Sequence, residues 1–252
     1  LRTKITALAI TLNEEANVKQ YIESLAFADE IIFIDSFSTD ATVSIAKELG
    51  ATVIQRPFDD FSSQRNFAIQ QAKNDWIVFF DLDEIISPEL VIEITKTLST
   101  PCSHVAYKIK TNLFFMGQHI KYGGWYPDKV IRLFNKKNCR YNGKAVSETL
   151  QVLNGTVGQL TSTANHFSYK GFDNYNQKLS MYSQLQAKNL YSKNQKPTLY
   201  YFFIKPFLHF NWYYFFRLGI LGGKAGFIIA YVHSFAVFKC YLQLWMMYRK
   251  IE

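Results

Sequence analysis

The chain has little cysteine, few late acids and no glycine-rich nucleotide loop. Only Cys102, Cys139 and Cys240 occur in 252 residues. An odd count at wide spacing makes neither a disulfide framework nor a zinc site, and it points to a reducing compartment. No G-X-G-X-X-G and no G-X-X-X-X-G-K-[ST] is present, which argues against a dinucleotide-binding fold and against a P-loop. Thr11 to Asn17 contains no glycine, so the glycine-rich first loop of a nucleotidyltransferase is missing as well. No signal peptide is expected, because a strand pattern begins almost at once. From residue 105 onward the only acids are Asp128, Glu148, Asp173 and Glu252.

What is present narrows the class further. A hydrophobic content of 48% excludes a disordered chain. The length suits one large domain, or one domain with an extension. Residues 1–150 carry 17 Lys+Arg against 18 Asp+Glu, whereas residues 151–252 carry 11 Lys+Arg against Asp173 and Glu252 alone. The whole formal charge of +8 therefore comes from the last two-fifths. A basic tail on a neutral body suggests nucleic acid or an anionic membrane as partner. Between Tyr200 and Phe216, 11 of 17 residues are aromatic. Such runs dilute the cations, and no nucleic-acid motif appears, so no nucleic-acid partner is expected.

Strand and helix patterns alternate over the first hundred residues. Strands are expected at 4–10, 30–35, 51–54 and 76–80. Helices are expected at 15–28, 41–49, 62–72 and from Ser87-Pro88 to Leu98, where Ser87 is the cap and Pro88 the first helical residue. This order implies a largely parallel sheet. Beyond residue 104 the alternation stops, with strands expected at 105–110, 129–134 and 156–160. A polar helix follows at 173–193. Gly219 to Gly226 reads as a hinge, and 227–248 as an apolar helix interrupted by His233, Lys239 and Gln243. That segment is marginal as a membrane span and better suited to lying in the interface. An aromatic core or a dimer face is the alternative.

The chemistry-bearing feature is Asp81-Leu82-Asp83, which ends the apolar run Trp76 to Phe80. Carboxylates stepping off a central strand stand where ligands bind in open α/β sheets. They suit a hard divalent cation and a diphosphate. Alone, the pattern is more often a solvated turn. Its company is Thr11-Leu12-Asn13-Glu14-Glu15 after the first strand, Asp35-Ser36-Phe37-Ser38-Thr39-Asp40 after the second, and Gln64-Arg65-Asn66 in the third helix. Asp35 can accept from a base or ribose, and Arg65 can pair with an anion. Asp40 is also a plausible helix cap.

In this order the motifs resemble the inverting glycosyltransferases of family 2, with the GT-A fold. Gly124-Trp125-Tyr126-Pro127-Asp128, Arg132-Leu133-Phe134, Val146-Ser147-Glu148, His166-Phe167-Ser168-Tyr169 and Gly222-Gly223-Lys224-Ala225-Gly226 are similar to the bacterial branch containing lipopolysaccharide core β-1,4-glucosyltransferases. The resemblance implies an α/β GT-A domain at 1–170, with a nucleotide-sugar half at 1–100 and an acceptor half at 101–170. Residues 171–252 would form a helical, membrane-associating extension.

It further implies a UDP-sugar donor held by Thr11, Leu12, Asn13, Glu14, Asp35, Ser36, Arg65, Asp81 and Asp83. Mg²⁺ or Mn²⁺ would sit on Asp83, with Asp81 and His166 as further candidates. The base would be Glu148, with Asp128 as alternative; Glu148 as an ion-pair partner of Lys144 or Arg140 is the competing reading. Related sequences carry His where Ser147 stands. Trp125 and Tyr126 would stack on a sugar or simply pack. The acceptor would be an anionic lipid-linked glycan of the lipopolysaccharide core, or a polyprenyl phosphate. The enzyme would be peripheral on the inner face of the cytoplasmic membrane, through residues 199–252. A non-catalytic membrane scaffold is the remaining alternative.

Overall fold

A computed structural model describes residues 2–115, 117–124, 128–144, 148–169 and 172–251. The chain divides into two compact units. One holds residues 1–112 and 128–166, and the other residues 113–127 and 167–252.

In the first unit, strands and helices alternate as the sequence predicts. They are β1 (Ile5–Thr11), α1 (Glu15–Ser24), β2 (Glu30–Asp35), α2 (Thr42–Glu48), β3 (Thr52–Gln55), α3 (Phe61–Gln71), β4 (Trp76–Phe79), β5 (Glu84–Ile86) and α4 (Pro88–Leu98). Ser87 caps α4 by accepting from the Leu90 N–H at 3.2 Å. Later come β6 (Ala106–Phe115), β7 (Gln118–His119), β8 (Asp128–Asn135), β9 (Cys139–Tyr141), β10 (Leu150–Val152) and β11 (Val157–Tyr169). The main sheet runs β3-β2-β1-β4-β8-β6-β11-β5, with β7 pairing β6. β1 lies parallel to β2 and to β4, and β2 parallel to β3. β8 is antiparallel to both β4 and β6. The parallel strands β1 to β4 thus coincide with the alternating sequence; β5, within it, pairs antiparallel with β11, and the other antiparallel strands begin where the alternation stops. β9 and β10 form a separate ribbon.

β4 explains why the apolar run is continuous. Val78 and Phe80 belong to a core with residues of α1, α2 and α4, such as Tyr21, Ala46 and Leu90. Ile77 and Phe79 belong to a second core with Ala68 and Ile69 of α3 and Tyr141 of β9. A strand covered on both faces has no polar side.

In the second unit, α5 (Phe172–Ser192) packs on α7 (Gly223–Arg249). Between them lies α6 (Lys205–Asn211), flanked by wide π turns at Tyr200–Ile204 and Trp212–Phe216. Phe115, Ile120, Tyr175, Leu179, Ile229 and Val232 share one core cluster. The glycines at 219–226 are not a hinge. Gly219–Gly222 is a tight 3₁₀ turn, and α7 already begins at Gly223. A Cβ on Gly226 would stand 2.0 Å from the Gly219 carbonyl oxygen, and one on Gly219 2.6 Å from that of Tyr213, so these two glycines serve close backbone packing. All three cysteines are free.

Candidate functional site

The carboxyl ends of β1, β2 and β4 bring the first three motifs together. Thr11 and Asp35 are register partners at the ends of β1 and β2. Asp35 is fully buried and accepts from the Ser38 N–H at 2.9 Å, the Ser38 hydroxyl and Gln55 Nε2 at 3.2 Å. The Ser36 hydroxyl accepts from Gln64 Nε2 at 3.1 Å. Asn13 takes a positive φ of 54°, and its side-chain oxygen accepts from the Thr39 N–H at 2.8 Å. The two loops also clasp each other at their helix starts. Asp40 accepts from the Glu15 N–H, and Glu15 from the Ala41 N–H. Asp40 is not the N-cap of α2, which is Ala41, but its carboxylate accepts from the Thr42 N–H at 3.0 Å. Glu14 accepts from Asn17 Nδ2 at 2.6 Å. Leu12 is exposed, as is Phe37, a bulky residue held at φ 63°. Among the described residues, the Thr11 hydroxyl is buried with no hydrogen-bond partner. An unfilled buried hydroxyl is a place for a ligand polar group.

Beyond β4 the charges condense. Arg65 Nη2 donates to Asp81 Oδ1 at 2.6 Å, and Arg132 Nη2 to Asp81 Oδ2 at 3.0 Å. Arg132 also donates to Glu84 Oε1 at 2.6 Å and to the Phe79 carbonyl at 3.3 Å. The Asp81 N–H returns to Glu84 Oε2 at 2.9 Å. The Asp-X-Asp turn is therefore clamped from α3, from β8 and from its own far end. Arg65 is wedged over the rings of Phe79 and Tyr141, 5.1 Å and 5.5 Å from their centroids. Its Nε faces Glu148 Oε1 at 3.1 Å. The ion-pair partner of Glu148 is thus Arg65 rather than Lys144 or Arg140.

Burial alone would raise the Asp81 carboxyl, but Arg65 and Arg132 overcome it and hold it well below the usual range. In Glu148 and Glu84 burial wins, and both are raised. Asp83 Oδ1 stands 3.3 Å from His166 Nε2. Burial disfavours charge on His166, yet Asp83 outweighs it and raises the imidazole.

A divalent cation fits this donor set. Three carboxylates (Asp81, Glu84 and Glu148) meet two guanidiniums (Arg65 and Arg132), and Asp83 meets only the His166 imidazole, so the group as a whole stays net negative. Both oxygens of Asp81 are already engaged by arginine. Asp83 and His166 are therefore the protein groups best placed to hold the ion. Among the described residues no cluster of three or more ligating side chains exists. Mg²⁺ or Mn²⁺ tolerates that, since such ions take one or two protein carboxylates and complete their shell with phosphate and water.

The sequence motifs Asp81, Asp83, Arg65, Glu148 and His166 thus meet in one place. Trp125, Tyr126 and Ser147 lie outside the described residues, as does the side chain of Asp128. Arg132, Glu84 and Tyr141 had no role assigned from sequence. Arg132 was detectable: a lone charge in the apolar strand Val130-Ile131-Arg132-Leu133-Phe134 needs a buried partner. Tyr141 carried no such signal.

Comparison with known proteins identifies the family and the fold. The glycosyl transferase family 2 signature matches residues 6–148. An uncharacterised glycosyltransferase of Rickettsia typhi is 33% identical, over 93% of this chain and 84% of its own. The lipopolysaccharide core biosynthesis glycosyltransferase LpsC of Rhizobium meliloti is 28% identical, over 90% and 86%. Among solved structures, glucosyl-3-phosphoglycerate synthase of Mycobacterium tuberculosis, in complex with Mn²⁺, UDP and glucosyl-3-phosphoglycerate, superposes with a TM-score of 0.51 at 18% identity, over 75% of this chain and 79% of that one. That likeness extends to the fold. The chain has the GT-A architecture, is a glycosyltransferase, and belongs to glycosyltransferase family 2.

Proposed function

We propose that the chain moves a hexose, glucose first among candidates, from a UDP-sugar to a lipid-linked saccharide of the lipopolysaccharide-core type, with inversion and with a divalent cation. The observation that carries this reading is the Asp81 clamp. Two arginines fix the turn, and Asp83 stands against His166 beside it. Mg²⁺ or Mn²⁺ held by Asp83 and His166 would supply positive charge to the diphosphate leaving group. Thr11, Leu12, Asn13, Glu14, Asp35 and Ser36 would hold the nucleoside, with the orphan Thr11 hydroxyl as one donor. Asp81 would reach the ribose, and Arg65 would set the charge beside it.

The acceptor hydroxyl oxygen attacks the anomeric carbon as the bond to the diphosphate oxygen breaks. The diphosphate leaves with the electron pair, and Glu148 takes the hydroxyl proton. A single displacement inverts the centre. Burial of Glu148 supports this role, because a raised carboxylate is a better base. Asp128 is the alternative base. The core-saccharide acceptor rests on the likeness to LpsC, and the donor and metal on what the mycobacterial synthase is bound to. An anionic, membrane-borne acceptor also matches a basic, aromatic segment at 199–252. The enzyme would then be peripheral at the inner face of the cytoplasmic membrane.

The test is nucleotide release from a panel of UDP-, GDP- and CMP-sugars, with Mn²⁺ and with chelator. Metal-dependent release from one UDP-hexose supports the reading. Equal release with chelator removes the metal, and preference for another nucleotide removes the donor.

A further inference from the structure

Length and composition alone would let the segment Gly219–Arg249 cross a membrane. Its packing says otherwise. One stripe of α7, including Ile229, Val232, Cys240, Tyr241 and Leu244, is buried inside the second unit. Polar links tie the same side to α5. Lys239 Nζ donates to Asn176 Oδ1 at 2.7 Å and to Ser180 Oγ at 2.8 Å, and the Ser183 hydroxyl donates to the Ala236 carbonyl at 3.0 Å. α5 itself exposes Gln177, Gln184, Gln186 and Lys188. A helix bound to such a neighbour cannot cross the hydrocarbon layer without carrying polar groups in or shedding its partner.

The remaining surface of the unit is unusual for a water-exposed one. Phe203, Phe207 and Phe216 are 67%, 65% and 73% exposed, and Leu221 is 60% exposed. The outer stripe of α7 continues the theme at helical spacing with Phe227, Tyr231 and Phe235, all exposed. Cations are interleaved with it. The Arg217 guanidinium lies 5.7 Å over Trp212, and that of Arg249 lies 5.8 Å over Trp245. Residues 174–251 contain ten Lys+Arg and no acid at all.

We infer that residues 199–221 and the outer stripe of α7 insert into one leaflet of an anionic bilayer, with α7 lying in the membrane plane rather than across it. This rests on the membrane-borne acceptor proposed above and specifies how the membrane is met. Charge complementarity selects a lipid surface over a second copy of the chain. A dimer through this face would bring two acid-free cationic surfaces together, whereas anionic headgroups neutralise the cations beside the aromatic belt.

The test uses the full chain with sealed vesicles of phosphatidylcholine, with or without phosphatidylglycerol. Flotation is expected to show roughly tenfold or greater preference for the anionic vesicles. Combined Phe203→Ser, Phe207→Ser and Phe216→Ser substitutions should weaken binding about a hundredfold with an unchanged circular dichroism spectrum. In a chain with the native cysteines replaced, Lys224→Cys and Lys250→Cys should both react with an impermeant maleimide added outside. Protection of one end only would overturn the in-plane orientation. Absence of vesicle binding, with a stable dimer that the three serines dissociate, would overturn the membrane in favour of a second copy. Nucleotide release from the free donor, measured in parallel, separates failure here from failure of the transferase reading.

Discussion

Both units place arginine or lysine against aromatic rings, yet they use the pairing in opposite ways. In the first unit Arg65 lies over Phe79 and Tyr141, and its charge is met by Asp81 and Glu148. In the second, Lys205 lies over Tyr201 and Tyr241 and donates to the Tyr241 hydroxyl, in a stretch without an acid. Cations closed by carboxylates build a rigid site of fixed charge. Cations left on aromatic shelves keep their charge available to something outside the protein. The partner of the charge, more than the residue type, separates a closed ion-pair network from a surface of uncompensated cations.

The comparison breaks most sharply at Asp83. Asp83→Asn keeps the shape and removes the charge, so transfer should fall about a thousandfold or more while the thermal midpoint holds. Nucleotide release and a melting curve read the two effects separately. Arg132→Met should instead strike the fold. It strands Glu84 and one oxygen of Asp81, at a cost of about 3 kcal/mol in a denaturant titration. Glu148→Gln should lower kcat about a hundredfold with little change in KM. In the parent enzyme the acid limb of kcat/KM should lie above the ordinary glutamate range, because burial raises this carboxyl and the base must be ionised to act. Activity therefore rises with pH through that limb. The smallest effect belongs to the second unit. Phe203→Ser alters a side chain 67% exposed to solvent, so stability should stay within about 0.5 kcal/mol.

The same contrast explains what was legible in the sequence. Asp35, Asp81 and Asp83 follow apolar strands, and strand ends are local features. Pro88 after Ser87 announced α4 for the same reason. The partners are another matter. Glu148 meets Arg65 from 83 positions away, a pairing that no local pattern encodes. β5 is three residues long and exists because it pairs with β11, setting Glu84 opposite His166. The glycines at 219–226 read as flexible because glycine usually is, whereas Gly226 is needed for its missing side chain. In the second unit, the exposure of Phe207 was foreseeable only as composition; its neighbours decided that it stayed uncovered.

The second unit is stitched from two separate stretches of chain, with Phe115 edge-on to Tyr175 at 5.2 Å. Recombination must respect that stitching. A gene exchange that replaces everything after residue 170 inherits a foreign half of this core, and Phe115 and Ile120 lose the side chains they were fitted to. Inheritable variation in the tail is thereby tied to residues 113–127, and a graft that transfers tail properties to a relative should carry both pieces.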